Sequence, residues 1–359
     1  MSSITRAKKE KPSEPPSLPE DVIFDITARV SRCDYPTLSL VSKHFKSLVR
    51  SPELYARRSL LGCGEHCLYA VHYSIETNCQ RLYMLRRKTN GNHCLVHIPS
   101  LPAMRRNGRY VAVGSKIYVF GQIYEYGDFN MTPIALSFDC RSHMVQPLPS
   151  MPIVLNLTKA AVFIDGKIYV IGYCDNDSKK AMMVVFNTET QMWEKDKIKL
   201  CDTRPNDVVM MGDKMYIRDY GDTFVYEPTE SICEREDMLN LAMCRNACVV
   251  DDVLYYHDCV KNKFRMYDPK KRCWGVVNGL EQLLAKTILS RWSETVGCGV
   301  KLTLFFSIVK SGLITGQIWC VEISLERRHE EEIWGKVEWC DQIMIPGNSY
   351  ITKSLAVML

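Results

Sequence analysis

At 359 residues, with 46% hydrophobic and 24% charged side chains, the chain has the composition of an ordinary globular protein, neither disordered nor fibrous. Its longest apolar runs are strand-length, far short of the roughly 20 residues a membrane helix needs, and its N-terminus (MSSITRAKKEKPSEPPS) lacks the apolar segment of a secretory signal. The net charge of +5 sits mostly at the front, where residues 1–62 carry eleven Lys/Arg against seven Asp/Glu, so an extended nucleic-acid-binding surface is not expected.

The sixteen cysteines have no regular spacing. Without a secretory signal they read as reduced intracellular thiols rather than a disulfide framework, and the expected location is cytoplasm or nucleus. Residues 1–16 read as a disordered, basic, Pro-rich tail.

Residues 17–62 form a helical module. Ser17 and Glu20 stand at capping-box spacing, with Pro19 and Asp21 in the first turn. Val22, Ile23, Ile26 and Val30 then recur at three and four, the stripe of an amphipathic helix. Asp34 caps a second short helix carrying Leu38, Leu40 and Val41, and Ser42 caps a third carrying Phe45, Leu48 and Val49. Ser51-Pro52-Glu53 starts a fourth, with Gly62 as its stop. A unit this small barely buries a core of its own, so its apolar faces need a cover.

From about Cys67 the texture changes to short strands that repeat. Val113-Gly114-Ser115-Lys116-Ile117-Tyr118-Val119 reappears as Ile164-Asp165-Gly166-Lys167-Ile168-Tyr169-Val170, as Met211-Gly212-Asp213-Lys214-Met215-Tyr216-Ile217, and as Val250-Asp251-Asp252-Val253-Leu254-Tyr255-Tyr256. The four tyrosines are 51, 47 and 39 residues apart. Each copy is followed by a second signature: Phe138-Asp139, Phe186-Asn187, Tyr226-Glu227-Pro228 and Tyr267-Asp268-Pro269. Trp193 and Trp274 stand seven residues beyond two of those aromatics.

A two-residue turn opening an almost wholly apolar strand fits a tight hairpin whose second strand is buried on both faces. Four strands per 45 to 50 residues, stacked sheet on sheet, make a blade of a β-propeller. The expected domain spans 63–359, with blades near 109–147, 158–195, 206–236, 246–276 and 294–340. Residues 67–98 supply three strands of a further blade, and 354–359 the missing innermost one, which closes a ring of six.

The repeats resemble kelch repeats, and Leu18-Pro19-Glu20-Asp21, Ile23, Ile26, Leu40-Val41-Ser42-Lys43, Phe45 and Ser51-Pro52-Glu53-Leu54 resemble an F-box. One glycine stands after the first signature (Gly121, Gly172) where kelch blades usually carry two, and Ser42 and Phe45 replace the commoner Cys and Trp. Together they resemble the plant F-box/kelch-repeat proteins: a small all-α F-box module followed by an all-β six-bladed kelch-type propeller. The resemblance implies a substrate-recognition subunit of an SCF (Skp-cullin-F-box) ubiquitin ligase, without catalytic residues or cofactor of its own. Its F-box would dock on a Skp-type adaptor, and through it a cullin-RING ligase, with Leu18, Pro19, Ile23, Ile26, Val30, Leu38, Val41, Phe45 and Leu48 divided between internal packing and that interface.

Propeller loops would hold the target protein. The candidates are the stretch 122–133, with Tyr124, Tyr126 and Phe129, the stretch 173–181, and the connection 99–109, with Arg105 and Arg106. No phosphate loop, G-x-S-x-G, HExxH or CxxC pair occurs, and Cys63, His66, Cys67 and His72 lack a second ligand pair at zinc spacing. Two other readings stay open: an interaction scaffold outside any ligase, and a propeller enzyme.

Overall fold

The computed structural model describes residues 18–359 apart from 89, 125–130, 154, 156, 175–180, 196–197, 200–204, 206, 220, 229, 231, 238, 240–245, 289, 291, 310–315, 329–331 and 345–347. The chain divides into two compact units, Met1–Glu65 and His66–Leu359.

The first unit is helical: α1 (Glu20–Arg29), a 3-10 turn (Arg32–Asp34), α2 (Tyr35–Val41), α3 (Lys43–Leu48) and α4 (Pro52–Leu60). Two of the expected caps are present. The Ser42 hydroxyl accepts the Phe45 N–H at 3.2 Å and the Ser51 hydroxyl accepts the Leu54 N–H at 3.3 Å. Pro19 stands at the N-cap of α1 without a side-chain bond, and the expected cap at Ser17 lies outside the described residues. A third expected cap is not made: the Asp34 side chain makes no cap bond on α2. There Pro36 supplies the pre-set φ of a first helical turn instead.

The α4 helix ends in a Schellman motif. Gly62 turns at φ +64°, its N–H bonds the Ser59 carbonyl at 3.2 Å, and the Cys63 N–H reaches back to the Arg58 carbonyl at 2.8 Å. Leu48, Val49, Leu54, Tyr55, Ala28 and Tyr35 are buried in this unit, and among them stands a charge, Arg58, 1% exposed. Its Nη1 donates to the carbonyls of Ala28 (2.9 Å) and Val30 (2.8 Å), orphaned at the end of α1, and to Tyr35 Oη (3.0 Å). Its Nη2 stands 3.2 Å from Glu65 Oε1. Arg58→Met strands these acceptors together, and we expect it to cost about 3 kcal/mol. A far-UV melt of the full chain that keeps its helical transition in place contradicts this.

The second unit is a ring of six antiparallel sheets, as the repeats require. The inner strands are Ser349–Met358, Arg109–Val113, Leu157–Ile164, Asp207–Met211, Cys248–Val250 and Ser293–Cys298, and each touches the next until the ring closes. The C-terminal strand Ser349–Met358, longer than the 354–359 read from sequence, pairs along His66–Ser74, with Cys79–Arg87 and His93–His97 outside it.

The five hairpins that lead from inner to second strand turn on two residues each: 114–115, 165–166, 212–213, 251–252 and 299–300. Gly114, Gly212 and Gly299, and both residues of Asp165-Gly166 and Asp251-Asp252, take positive φ, the conformation that matches strand twist in so tight a turn. Behind the turns, Ile117, Val119, Phe120, Ile168, Val170 and Ile171 are completely buried, because a second strand lies between two strands and between two blades.

The Asp or Asn of the second signature has a defined task. Asp139 Oδ1 accepts the N–H groups of Arg141 (2.8 Å) and Ser142 (3.3 Å), Asn187 Oδ1 those of Glu189 and Thr190 (both 2.9 Å), and Asp268 Oδ1 those of Lys270 (3.0 Å) and Lys271 (3.3 Å). Four residues after each, His143, Gln191 and Arg272 take positive φ and return the chain. Glu227, one methylene longer, ion-pairs with Lys214 instead. Trp193 packs edge-on to Phe186 (5.1 Å) and Phe120 (5.8 Å), so the repeat tryptophan joins one blade to the next.

Candidate functional site

Two surfaces differ from ordinary exterior. On the helical unit, Leu18 (56% exposed), Ile26 (52%), Leu40 (85%) and Val41 (66%) present large apolar side chains to solvent, with Val22 beside Ile26 on α1. Of the nine residues proposed from sequence, Leu18, Pro19, Ile26 and Val41 are exposed, and Ile23, Val30, Leu38 and Phe45 are partly covered. Leu48 is 4% exposed and falls on the internal-packing side of that division, away from any interface. Leu40 and Val22 belong on the exposed face, although the interface reading omitted them.

The second surface is one mouth of the ring. Strand direction puts the tight hairpins and the entry of the chain at His66 at one end. The strand ends that bound the longer connections, from His97 to Arg109, Pro147 to Leu157, Lys199 to Asp207, Arg235 to Cys248 and Val276 to Ser293, lie at the other. Of the target-binding candidates, Tyr126, Phe129 and the Tyr124 side chain lie outside the described residues. The connection 99–109 is less loop-like than its sequence suggests: Met104–Arg105 adds a short strand to Cys79–Gln80. Arg106 is exposed, with its guanidinium carbon 5.6 Å from the centre of the Tyr73 ring. Tyr73 in turn meets Tyr350 at 5.2 Å, and Tyr350 meets Trp292 at 6.4 Å, an aromatic patch at this mouth.

Towards that mouth every inner strand contributes a polar side chain, Arg109, Lys159, Asp207, Cys248 and Glu294 near the strand start and Lys353 midway along the C-terminal strand. Glu294 is 1% exposed. Its Oε1 accepts the Ser354 N–H (3.1 Å) and hydroxyl (3.3 Å), and its Oε2 has no partner among the described residues. Burial raises this carboxyl to about 7, opposed mainly by the Lys353 charge and assisted by Asp207.

From the ordinary 4.5 of an unfolded glutamate to about 7, the folded state therefore holds a proton that the unfolded state releases. Stability from this group falls as pH rises through that window, by about 3 kcal/mol in all. Glu294→Gln keeps the acceptor for Ser354 and removes the titration. We expect it to raise Tm clearly at pH 8 and little at pH 5, and an equal shift at both pH values would contradict the assignment.

A third cluster resembles catalytic machinery. Cys259 Sγ is 3.5 Å from His257 Nδ1, and His257 Nε2 is 3.3 Å from Asn262 Oδ1, a nucleophile–base–orienter order. Burial pushes the thiol up and the imidazole down, so both are neutral. Ser293 Oγ sits 3.2 Å from Cys259 Sγ and 3.1 Å from His257 Nδ1, which makes the group a hydrogen-bonded join between neighbouring blades. His72, part of the zinc possibility, instead bonds Ser349 Oγ at 2.8 Å across the closing strand.

Comparison with known proteins decides the class. The FKB95, Kelch-repeats domain matches residues 80–344, and the F-box domain matches residues 15–57. The chain belongs to the plant F-box/kelch-repeat family. The F-box/kelch-repeat protein At4g38940 of Arabidopsis thaliana is 43% identical, over 99% of each chain. The putative F-box/kelch-repeat protein At3g10510 of the same plant is 36% identical over the full length of both, and F-box/kelch-repeat protein At4g39240 is 35% identical over 95% of this chain and 90% of its own. An F-box joined to kelch repeats supports a substrate-adaptor role, and members of this family are generally adaptors rather than enzymes.

Proposed function

We propose that this F-box/kelch-repeat protein is the target-recognition subunit of an SCF ubiquitin ligase, acting in the cytoplasm or nucleus. The observation that carries this reading is the exposed apolar face of the F-box, Leu18, Val22, Ile26, Leu40 and Val41, on a unit whose own core is already filled by Leu48, Leu54, Tyr55 and their neighbours. That face suits a Skp-type adaptor, and the adaptor a cullin-RING ligase. The propeller holds a target protein by the connections at its open mouth, and ubiquitin transfer belongs to other subunits. The chain contributes proximity and orientation, which raise the effective concentration of target lysines at the transferring site.

Affinity capture from plant cells tests this reading against a scaffold outside any ligase. Proteins captured by both the parent chain and Ile26→Asp/Leu40→Asp should carry less ubiquitin and live longer in cells expressing the variant. Unchanged ubiquitination and lifetime of every shared captured protein would leave the scaffold reading standing.

A further inference from the structure

The polar layer inside the mouth is not charge-balanced. Arg109 opens its inner strand with its Nε 2.6 Å from the Lys159 carbonyl and an Nη1 3.0 Å from the Gly108 carbonyl. Those partners are neutral. Among the described residues no carboxylate stands within ion-pair reach of Arg109 or of Lys159, and both basic groups are lowered first by burial. Arg109 also depresses Lys159, and Arg106 adds to the repulsion on Arg109, with Asp207 the one favourable carboxylate in its field.

Neither carboxylate of the layer ion-pairs with them: Asp207 Oδ1 accepts the Val208 N–H at 2.9 Å, and Glu294 Oε1 accepts the Ser354 N–H at 3.1 Å. Two partly buried cations side by side, without a counter-charge in contact, cost free energy that an anion between them would recover. The geometry favours a compact occupant. Both strands start at the open mouth, Lys159 reaches over the Tyr173 ring with its Nζ 5.8 Å from the ring centre, and Arg106 extends the positive field outward over Tyr73.

We propose that the mouth of this propeller binds an anionic group, a carboxylate or a phosphate, between Arg109 and Lys159 with Arg106 at the entrance. The group arrives either as a free small anion or as an acidic or phosphorylated side chain of the target. The second source rests on the target-recognition reading above, whereas binding of a free anion does not.

The test uses the full chain with inorganic phosphate as probe, at constant ionic strength and pH. Phosphate should raise Tm saturably, by about 3 °C at excess over its dissociation constant. Lys159→Gln, which leaves the backbone acceptor of Arg109 in place and relieves its repulsion, should not lower the Tm measured in chloride and should weaken phosphate at least tenfold. Arg109→Gln should abolish the effect, and the Lys159 variant keeps the test valid if that chain fails to fold. A short glutamate-rich or phosphoserine peptide then separates the sources. Displacement of phosphate by the peptide at lower concentration than by acetate indicates a protein side chain, and failure to displace indicates a free anion. No saturable effect of phosphate on the parent chain, or an equal effect on Lys159→Gln, overturns the proposal.

Discussion

A chain ending at Asn348 is expected to lose cooperative unfolding of the propeller altogether. Ser349–Met358 forms the innermost strand of the first blade, paired from His66↔Met358 to Ser74↔Ser349, and among the described residues no other strand takes that place. Its loss removes the buried side chains of Ile351, Leu355, Val357 and Leu359. At roughly 2 kcal/mol each, that approaches the whole stability of a typical domain. It also takes away the Ser354 N–H and hydroxyl from buried Glu294, and it opens an edge along the His66–Ser74 strand. Calorimetry of the truncated and full chains should show a broad or absent transition against a sharp one. An unchanged midpoint would mean that the ring does not depend on this closure.

The second large effect is on binding with folding left intact. Ile26 and Leu40 are solvent-exposed and make little of the unit's core, so Ile26→Asp/Leu40→Asp should leave both melting transitions within a degree or two. Placed in the centre of an apolar protein interface, two carboxylates have to be desolvated without partners, which costs about 2 kcal/mol or more each and weakens the adaptor at least a hundredfold. Leu48→Asp is the contrasting substitution. Leu48 is buried, so that change should unfold the unit and lower adaptor binding through folding. If the exposed pair costs less than tenfold in affinity while the fold is intact, the adaptor docks elsewhere.

The ring was legible because its information is local and repeated. A two-residue hairpin needs residues that accept positive φ, so Gly114, Asp165-Gly166, Gly212 and Asp251-Asp252 announce themselves at similar intervals. The Asp that turns the chain after the third strand is marked in the same way, by its need to accept two successive N–H groups. Short helices carry less. In the six residues of Lys43–Leu48 or the seven of Tyr35–Val41, an apolar stripe covers under two turns and does not say which side faces inward. The stripe therefore left open that Leu48 packs inward and that Leu40 faces solvent.

Arg58 carries no signal of its own in the sequence, and only the approach of the α1 carbonyls shows its task. A fifth helix, α5 (Glu281–Thr287), fills the connection between two blades and went unread, although Leu280, Leu283, Leu284 and Thr287 recur at helical spacing. The polar layer at the mouth had no local signal at all. Arg109, Lys159, Asp207 and Glu294 are brought together by the start of four inner strands, 50, 48 and 87 residues apart along the chain. Tertiary closure alone makes them neighbours.

The measurement closest to the central claim is reconstitution of the purified full chain with a purified Skp-type adaptor and cullin, followed by size-exclusion chromatography with light scattering. A single 1:1:1 species that survives dilution to submicromolar concentration, and that Ile26→Asp/Leu40→Asp dissolves, is the predicted result. Elution of the chain alone, beside an intact adaptor–cullin pair, would contradict the assignment of this protein to a ubiquitin ligase.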